Sequence, residues 1–90
     1  MSYSTQLKPI NPPSESMREY YGNLFKRNQM KFMRRSSLDP SHLGSEFVLD
    51  NQQFSLLGTI SPAEMIIENL EDGSCYIIHC DYATKLVLGN

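Results

Sequence analysis

The chain lacks several features that would place it in a well-defined class of protein. Its 90 residues contain two cysteines and no tryptophan. Two cysteines are too few for a small fold stapled by disulfides, and no run of residues approaches the ~20 apolar positions of a membrane span. Residues 1–9 contain no apolar stretch of the kind that signal peptides carry. We therefore expect one small domain in the reducing cytoplasm, with no membrane partner.

Sequence motifs of catalysis and cofactor binding are also scarce. The five glycines are separated from one another, so none belongs to a phosphate-binding loop. No two carboxylates have an informative spacing, and no motif supplies the oxyanion hole that nucleophilic catalysis needs. We predict a protein that is not an enzyme and that uses no cofactor.

The charges that are present are distributed unevenly. Residues 1–45 hold seven Lys and Arg against three Asp and Glu, whereas residues 46–90 hold one against seven. Such a division is typical of a basic arm that binds an acidic partner, or of a basic helix that lies on an acidic sheet of the same chain. We favour the second interpretation. An overall pI near 5.5 argues against nucleic acid, because the acidic half would repel phosphate.

Proline dominates the first part of the chain. Pro9, Pro12 and Pro13 fall within five residues. Proline lacks the backbone N–H and fixes one backbone angle, so the segment favours extended, irregular geometry. Residues 1–13 are therefore predicted to form a flexible tail.

A helix is predicted over about residues 16–34. Ser16 and Glu19 have the spacing of a capping box. In this motif the side chain of each residue accepts a hydrogen bond from the backbone N–H of the other. Gly22 interrupts the helix and indicates either a bend or a close packing contact. The apolar side chains project on one stripe, formed by Met17, Tyr21, Leu24, Phe25 and Phe32.

The second half of the chain carries the clearest pattern. Short apolar runs alternate with turn residues, a rhythm typical of an antiparallel β-meander. The predicted strands cover about residues 46–50, 54–60, 64–70, 74–80 and 84–88.

One of these segments has two interpretations. Ser61-Pro62-Ala63-Glu64 is a typical helix start, with proline at the first helical position. The adjacent Ile66 and Ile67 favour a strand instead, as does the Asp72-Gly73 turn that follows. The strand is preferred.

Together these elements predict an α+β fold in one domain over residues 14–90. An N-terminal amphipathic helix packs on a four- to five-stranded antiparallel meander or small barrel. The predicted core joins Tyr21, Leu24, Phe25 and Phe32 of the helix to Phe47, Phe54, Leu56, Ile67, Tyr76 and Ile78 of the strands.

Cys75, His79, Cys80 and Asp81 together suggest a metal site or a nucleophile. On a strand, however, Cys75 and His79 would lie ~13 Å apart at ~3.3 Å per residue, and Cys80 would point to the opposite face from Cys75. Zinc ligands all lie within ~2.3 Å of one ion. We therefore predict two buried free thiols and no metal.

The segments LGSEFVL, FSLLGTI and MIIENLEDGSCYII resemble the strands of small Src-homology-3-like β-barrel modules. Similar modules are common among phage and viral accessory proteins. The resemblance covers residues 43–88 and implies a small accessory or inhibitor protein, but it identifies no site residue. The chain lacks the tryptophan and the aromatic groove with which peptide-binding members hold proline-rich ligands.

The resulting functional prediction is a non-catalytic protein-interaction module, with a nucleic-acid-binding module as the alternative. The predicted last strand is an apolar sheet edge, so we expect strand addition to a protein partner or self-association into a homo-oligomer. The candidate partner-binding residues are Arg27, Met30, Lys31, Met33, Arg34 and Arg35 near the helix end, and Leu86 and Val87 on that strand.

Overall fold

The computed structural model describes residues 7–27, 38–61 and 63–89. A two-helix, five-stranded α+β domain is formed within these ranges. The elements are strand β1 (Lys8–Ile10), helix α1 (Glu15–Arg27), a 3-10 turn (Pro40–His42), strands β2 (Glu46–Leu49), β3 (Gln52–Ser61), β4 (Glu64–Asn69) and β5 (Cys75–His79), and helix α2 (Cys80–Leu88).

The five strands form one antiparallel sheet in the order β1-β5-β4-β3-β2. The predicted α+β class and antiparallel sheet are confirmed. Within the described residues the sheet is open, because β1 and β2 lie at opposite edges and do not pair with each other. The sheet therefore has two free edges, where a barrel would have none.

The central strands follow the predicted meander closely. The segment with two interpretations is the strand β4, which pairs with β3 on one side and with β5 on the other. Opposite β4, strand β3 carries two extra residues, Leu57 and Ile60, where the register shifts. Such bulges bend the strand and increase its twist.

The first helix begins earlier than its sequence predicts. Ser14, and not Ser16, precedes the helix, and its Oγ accepts a hydrogen bond from the Met17 N–H at 3.4 Å. The helix assigned as α1 ends at Arg27. The rest of the predicted helix, up to residue 34, lies outside the described residues.

Helix α1 packs across β3 at a contact between two backbones. Gly22 of the helix is buried, and the expectation of a close contact there is confirmed. A Cβ placed on Gly58 of β3 would lie 2.5 Å from the carbonyl carbon of Tyr21. Arg18 also forms an ion pair with Glu68 of β4, in which its Nη1 and Nη2 each donate to one carboxylate oxygen, and this pair orients the helix on the sheet.

The core is mainly the one that the sequence predicts. Of the predicted set, Phe25, Phe47, Phe54, Leu56, Ile67 and Ile78 are buried, and Tyr21, Leu24 and Tyr76 are half-buried. Phe32 lies outside the described residues. The predicted burial of Cys80 is confirmed, whereas the sequence did not predict the burial of Leu38, Tyr82 and Ala83, the last two of which belong to α2.

Two predicted segments adopt a different structure. Residues 84–88 were predicted to form the last strand, but they belong to helix α2, and this prediction is wrong. Residues 1–13 were predicted to be a flexible tail, but Lys8–Ile10 form β1 and pair with β5. Proline is compatible with this position because an edge strand leaves one side of its backbone unpaired.

Removing residues 1–10 tests the contribution of β1. The deletion would expose the edge of β5, where Ile10 pairs with Cys75 and Lys8 with Ile77. We expect the thermal midpoint to fall by about 4–8 °C, the equivalent of ~1 kcal/mol for a domain of this size. Differential scanning calorimetry provides the measurement, with Lys8→Ala as a control, because this variant keeps the strand and alters only an exposed side chain. An unchanged midpoint after deletion would show that β1 contributes nothing.

Candidate binding groove

A groove runs between the free edge of β2 and the C-terminal half of α2. It encloses a cavity of about 330 Å³ and is lined by Glu46, Phe47, Val48, Lys85, Leu86 and Val87. Four of these six side chains are apolar, and the other two carry opposite charges. A concave apolar surface with a few polar groups at its rim is typical of a binding site.

Local sequence determines the conformation of β2. Asp50 and Asn51 have φ angles of 53° and 64°, which two consecutive residues adopt in the type I′ turn of a two-residue hairpin. Phe47 and Leu49 are buried, whereas Glu46 and Val48 are exposed, as the strand alternation requires. Phe47 stacks on Phe54 of β3, with the ring centroids 6.1 Å apart.

The hairpin also determines which backbone groups of β2 are free. In a two-residue hairpin, Leu49 and Gln52 exchange hydrogen bonds, and the antiparallel pattern then alternates along the strand. The N–H and C=O of Phe47 and Leu49 therefore face β3, and those of Glu46 and Val48 face outward. In the described part of the chain, no strand pairs with this outer edge.

The two edges of the sheet differ in their protection against pairing. Strand β1 carries Lys8 and Pro9, two residue types that hinder the addition of another strand. Strand β2 contains neither lysine nor proline, and its Val48 side chain is 61% exposed. Of the two edges, β2 is the one that remains open to strand addition.

Helix α2 forms the other wall of the groove. It begins directly after β5, where the His79 Nδ1 accepts a hydrogen bond from the Asp81 N–H at 3.1 Å and caps the first turn. Thr84 donates its hydroxyl to the Cys80 carbonyl at 2.8 Å. Tyr82 and Ala83 anchor the helix in the core, while Leu86 and Val87, further along, remain partly exposed in the groove.

The structure brings together only part of the predicted binding surface. Leu86 and Val87 line the groove, but from a helix and not from an edge strand. Arg27 is exposed at the end of α1 and does not line the groove. The remaining predicted residues, Met30, Lys31, Met33, Arg34 and Arg35, lie outside the described residues.

Four groove residues were not predicted as binding residues: Glu46, Phe47, Val48 and Lys85. For the three residues of β2, part of the signal was present in the sequence. The segment EFVL is a short apolar run after one glutamate, contains no lysine or proline, and is followed by an Asp-Asn turn. Nothing in the sequence alone, however, identified this strand as the edge of the sheet.

His79, Cys80 and Asp81 lie closer together than expected, because α2 begins at Cys80. The Cys80 Sγ lies 4.0 Å from the His79 Nδ1 and 3.8 Å from an Asp81 carboxylate oxygen. These spacings are compatible with three ligands of one metal ion. The imidazole lone pair already accepts the Asp81 N–H, however, and Cys80 is completely buried.

We therefore expect the isolated protein to bind no stoichiometric zinc. Binding would require the imidazole to release its capping hydrogen bond at the start of α2. Elemental analysis after dialysis against a zinc-containing buffer checks this expectation. One metal ion per chain that disappears in a His79→Ala variant would contradict it.

Cys75 and Cys80 are free and buried thiols. Burial raises the pKa of Cys75, the nearby Glu68 carboxylate raises it further, and Arg18 opposes the shift. A thiol with a raised pKa is a poor nucleophile at neutral pH. The chemistry of Cys75 therefore fits a core residue.

The raised pKa of Cys75 makes stability depend on pH in the alkaline range. The neutral Cys75 thiol contributes its full share to the free energy of unfolding at pH values below the ordinary thiol pKa. This contribution is lost as the pH rises through the raised pKa of the folded protein. We expect urea unfolding to show a steeper alkaline loss of stability for the native chain than for Cys75→Val. Equal pH profiles for the two proteins would exclude the thiol as the cause.

Comparison of the chain with protein-family models, with curated proteins and with solved structures gave no match. Neither of the helices in the described ranges is long and apolar enough to cross a membrane.

Proposed function

We propose that the protein is a non-catalytic protein-interaction module that binds an extended segment by adding it as a strand to the free edge of β2. The observation that supports this proposal is that no strand of the described residues pairs with the outer edge of β2, which lies beside an apolar groove. Strand addition is a common mode of peptide recognition, in which backbone hydrogen bonds give affinity and side-chain pockets give specificity.

The groove supplies both kinds of contact. The outward N–H and C=O groups of Glu46 and Val48 offer hydrogen bonds to an added strand. Alternate side chains of that strand would point toward Leu86 and Val87 of α2, which are partly exposed beside β2. Burial of these side chains would provide the apolar contribution to binding, at ~25 cal/mol per Å² of surface removed from water.

The alternative of nucleic-acid binding has less support in the described residues. Arg18 of α1 is occupied by Glu68, and the groove carries one positive and one negative side chain. Lys26 and Arg27 are exposed at the helix end, away from the groove lining. We therefore propose a protein ligand.

Selection from a displayed library of short random peptides tests this proposal. Peptides that bind the native protein should lose at least about tenfold in affinity with Val48→Pro, which removes an outward N–H from the edge, and with Leu86→Glu, which charges the groove wall. Leu70→Glu is the matched control, because Leu70 is 44% exposed in the turn after β4 and does not line the groove.

Circular dichroism of each variant establishes that it is folded before binding is compared. Val48→Pro is expected to fold, because Val48 is exposed and proline is tolerated on edge strands. A library that yields no binder for the monomeric protein would contradict the proposal. So would binders that Val48→Pro and Leu86→Glu leave unaffected.

A further inference from the structure

We infer that the strand added at this edge is the β2 strand of a second copy of the chain. The two β2 strands would pair antiparallel about a two-fold axis at Phe47, so that the two sheets become one. This inference rests on the proposed function and names its partner. Two observations support the inference: the positions of the outward backbone groups along β2, and the charges of the side chains on β2 and in the turn that follows.

The length of the free edge is limited on both sides. Toward the N-terminus, the Gly44 N–H donates to the Leu56 carbonyl at 2.9 Å and the Ser45 N–H to the His42 carbonyl at 3.0 Å, so neither donor is available. Toward the C-terminus, the strand turns away at Asp50 and Asn51. The outward groups that remain within the strand are those of Glu46 and Val48.

A two-fold axis at Phe47 satisfies all of these groups at once. It places Glu46 of each copy opposite the second copy's Val48, and residues opposite each other in this way exchange two hydrogen bonds. Two such pairs form in the dimer and use both N–H and both C=O groups of each copy. Registers that place an outward residue opposite an inward one form no ladder.

The charges distinguish this register from its two nearest alternatives. An axis at Glu46 would place two Glu46 carboxylates directly opposite each other. An axis at Val48 would place Glu46 opposite Asp50 of the second copy, again two negative charges. Like charges opposite each other destabilise a strand pair. Only the axis at Phe47 pairs each carboxylate with a neutral side chain.

The groove itself is compatible with a copy of itself. Its charged lining consists of Glu46 and Lys85, so two grooves that meet bring together equal numbers of positive and negative charges. The apolar part of the lining, Leu86 and Val87 on α2, would extend the contact from strands to helices. Burying apolar surface in a dimer is a common way for a small domain to gain stability.

Sedimentation velocity over a wide range of protein concentration tests the inference. The native chain should dimerise reversibly. Val48→Glu places a carboxylate opposite Glu46 of the second copy in both pairs and should weaken the dimer at least about fivefold, whereas Val48→Lys places an opposite charge there and should retain or strengthen it. Because Val48 is 61% exposed, both variants are expected to fold.

Cysteine cross-linking tests the register directly. In the proposed pair, residue 46 of one copy and residue 48 of the other have Cα atoms about 5.5 Å apart, within the range that a disulfide spans. An equal mixture of Glu46→Cys and Val48→Cys proteins should therefore form a mixed disulfide on oxidation. Each variant alone should cross-link less, and the native Cys75 and Cys80 are buried.

Three results would overturn the inference: a strict monomer at every concentration, equal effects of Val48→Glu and Val48→Lys, or single-cysteine variants that cross-link as well as the mixture. The proposed function fails independently. If the protein is a monomer but library peptides bind at the groove, strand addition stands and the second copy is excluded. If it dimerises through another surface and no peptide binds, both proposals fall.

Discussion

Gly58→Ala is expected to destabilise the domain by about 3 kcal/mol, the upper end of the usual cost of overpacking, because the added methyl group overlaps the contact between α1 and β3. The new Cβ would lie 2.5 Å from the carbonyl carbon and oxygen of Tyr21 and 2.8 Å from the Gly22 nitrogen. All three atoms belong to the backbone, so no side-chain rotation relieves the overlap. The helix would have to move away from the strand. Urea unfolding monitored by circular dichroism measures the effect.

Gly22→Ala is the matched control for this prediction, since it lies on the other side of the same contact. Its Cβ would meet the Leu43 Cδ2 at 3.3 Å, and a leucine side chain can shift. Alanine is also favoured over glycine in a helix by ~1 kcal/mol. We expect a small change in stability of either sign. Similar losses for the two variants would argue against backbone contact at Gly58 as the cause.

Phe25→Ala is expected to cost about 3–5 kcal/mol, the usual loss when a large buried aromatic side chain is removed. Phe25 is 1% exposed and belongs to the core cluster. Because small domains have a total stability of only about 5–15 kcal/mol, this variant is expected to be partly unfolded at 37 °C. The measurement is the urea midpoint relative to the native chain.

Tyr20→Ala provides the comparison for Phe25. Tyr20 is another aromatic residue of α1, but it lies outside the core cluster and is 48% exposed. We expect a change within about 0.5 kcal/mol, as for most surface substitutions. If Phe25→Ala were equally mild, the apolar stripe of α1 would not be packed as the fold requires, and that surface would be free for a partner.

The sequence predicts the central strands because two independent signals agree there. Short apolar runs such as residues 47–49 of β2 recur along this half of the chain, and turn residues such as Asp72 and Gly73 separate the strands. In β4, the adjacent Ile66 and Ile67 prevail over the helix-start signature before them, because pairing on both sides buries them completely. Tertiary contacts therefore stabilise this segment as a strand, the conformation that its β-branched residues favour.

The sequence-based prediction was wrong where a short segment fits two periods. Ala83, Leu86 and Val87 are spaced at intervals of three and four, the spacing of a helix face, but the apolar run KLVL also resembles a strand. The cap at the start of α2 is a histidine, which is not among the residues usually expected there. The strand β1 was not predicted, because proline lacks a backbone N–H and is normally taken as evidence against a strand. An edge strand pairs on one side only, so it tolerates the missing donor of Pro9.

The binding groove was only half predictable. Leu86 and Val87 were selected as apolar residues near a free edge, and they do line the groove, although the edge belongs to β2. The order of strands in the sheet depends on pairing between distant segments. Local sequence therefore does not predict which strand lies at the edge. The resemblance to Src-homology-3-like barrels stays a prediction.

The pairing of β1 with β5 joins strands from almost opposite ends of the described chain. The connections within β2–β5 are short, so these four strands form a meander from local hairpins. Closing a loop as long as that between Lys8 and Ile77 costs more chain entropy, which slows the formation of such contacts. Strand β1 is therefore expected to dock last during folding. Until it does, the outer edge of β5 is open, and the growing chain has a brief interval in which it is most prone to aggregate.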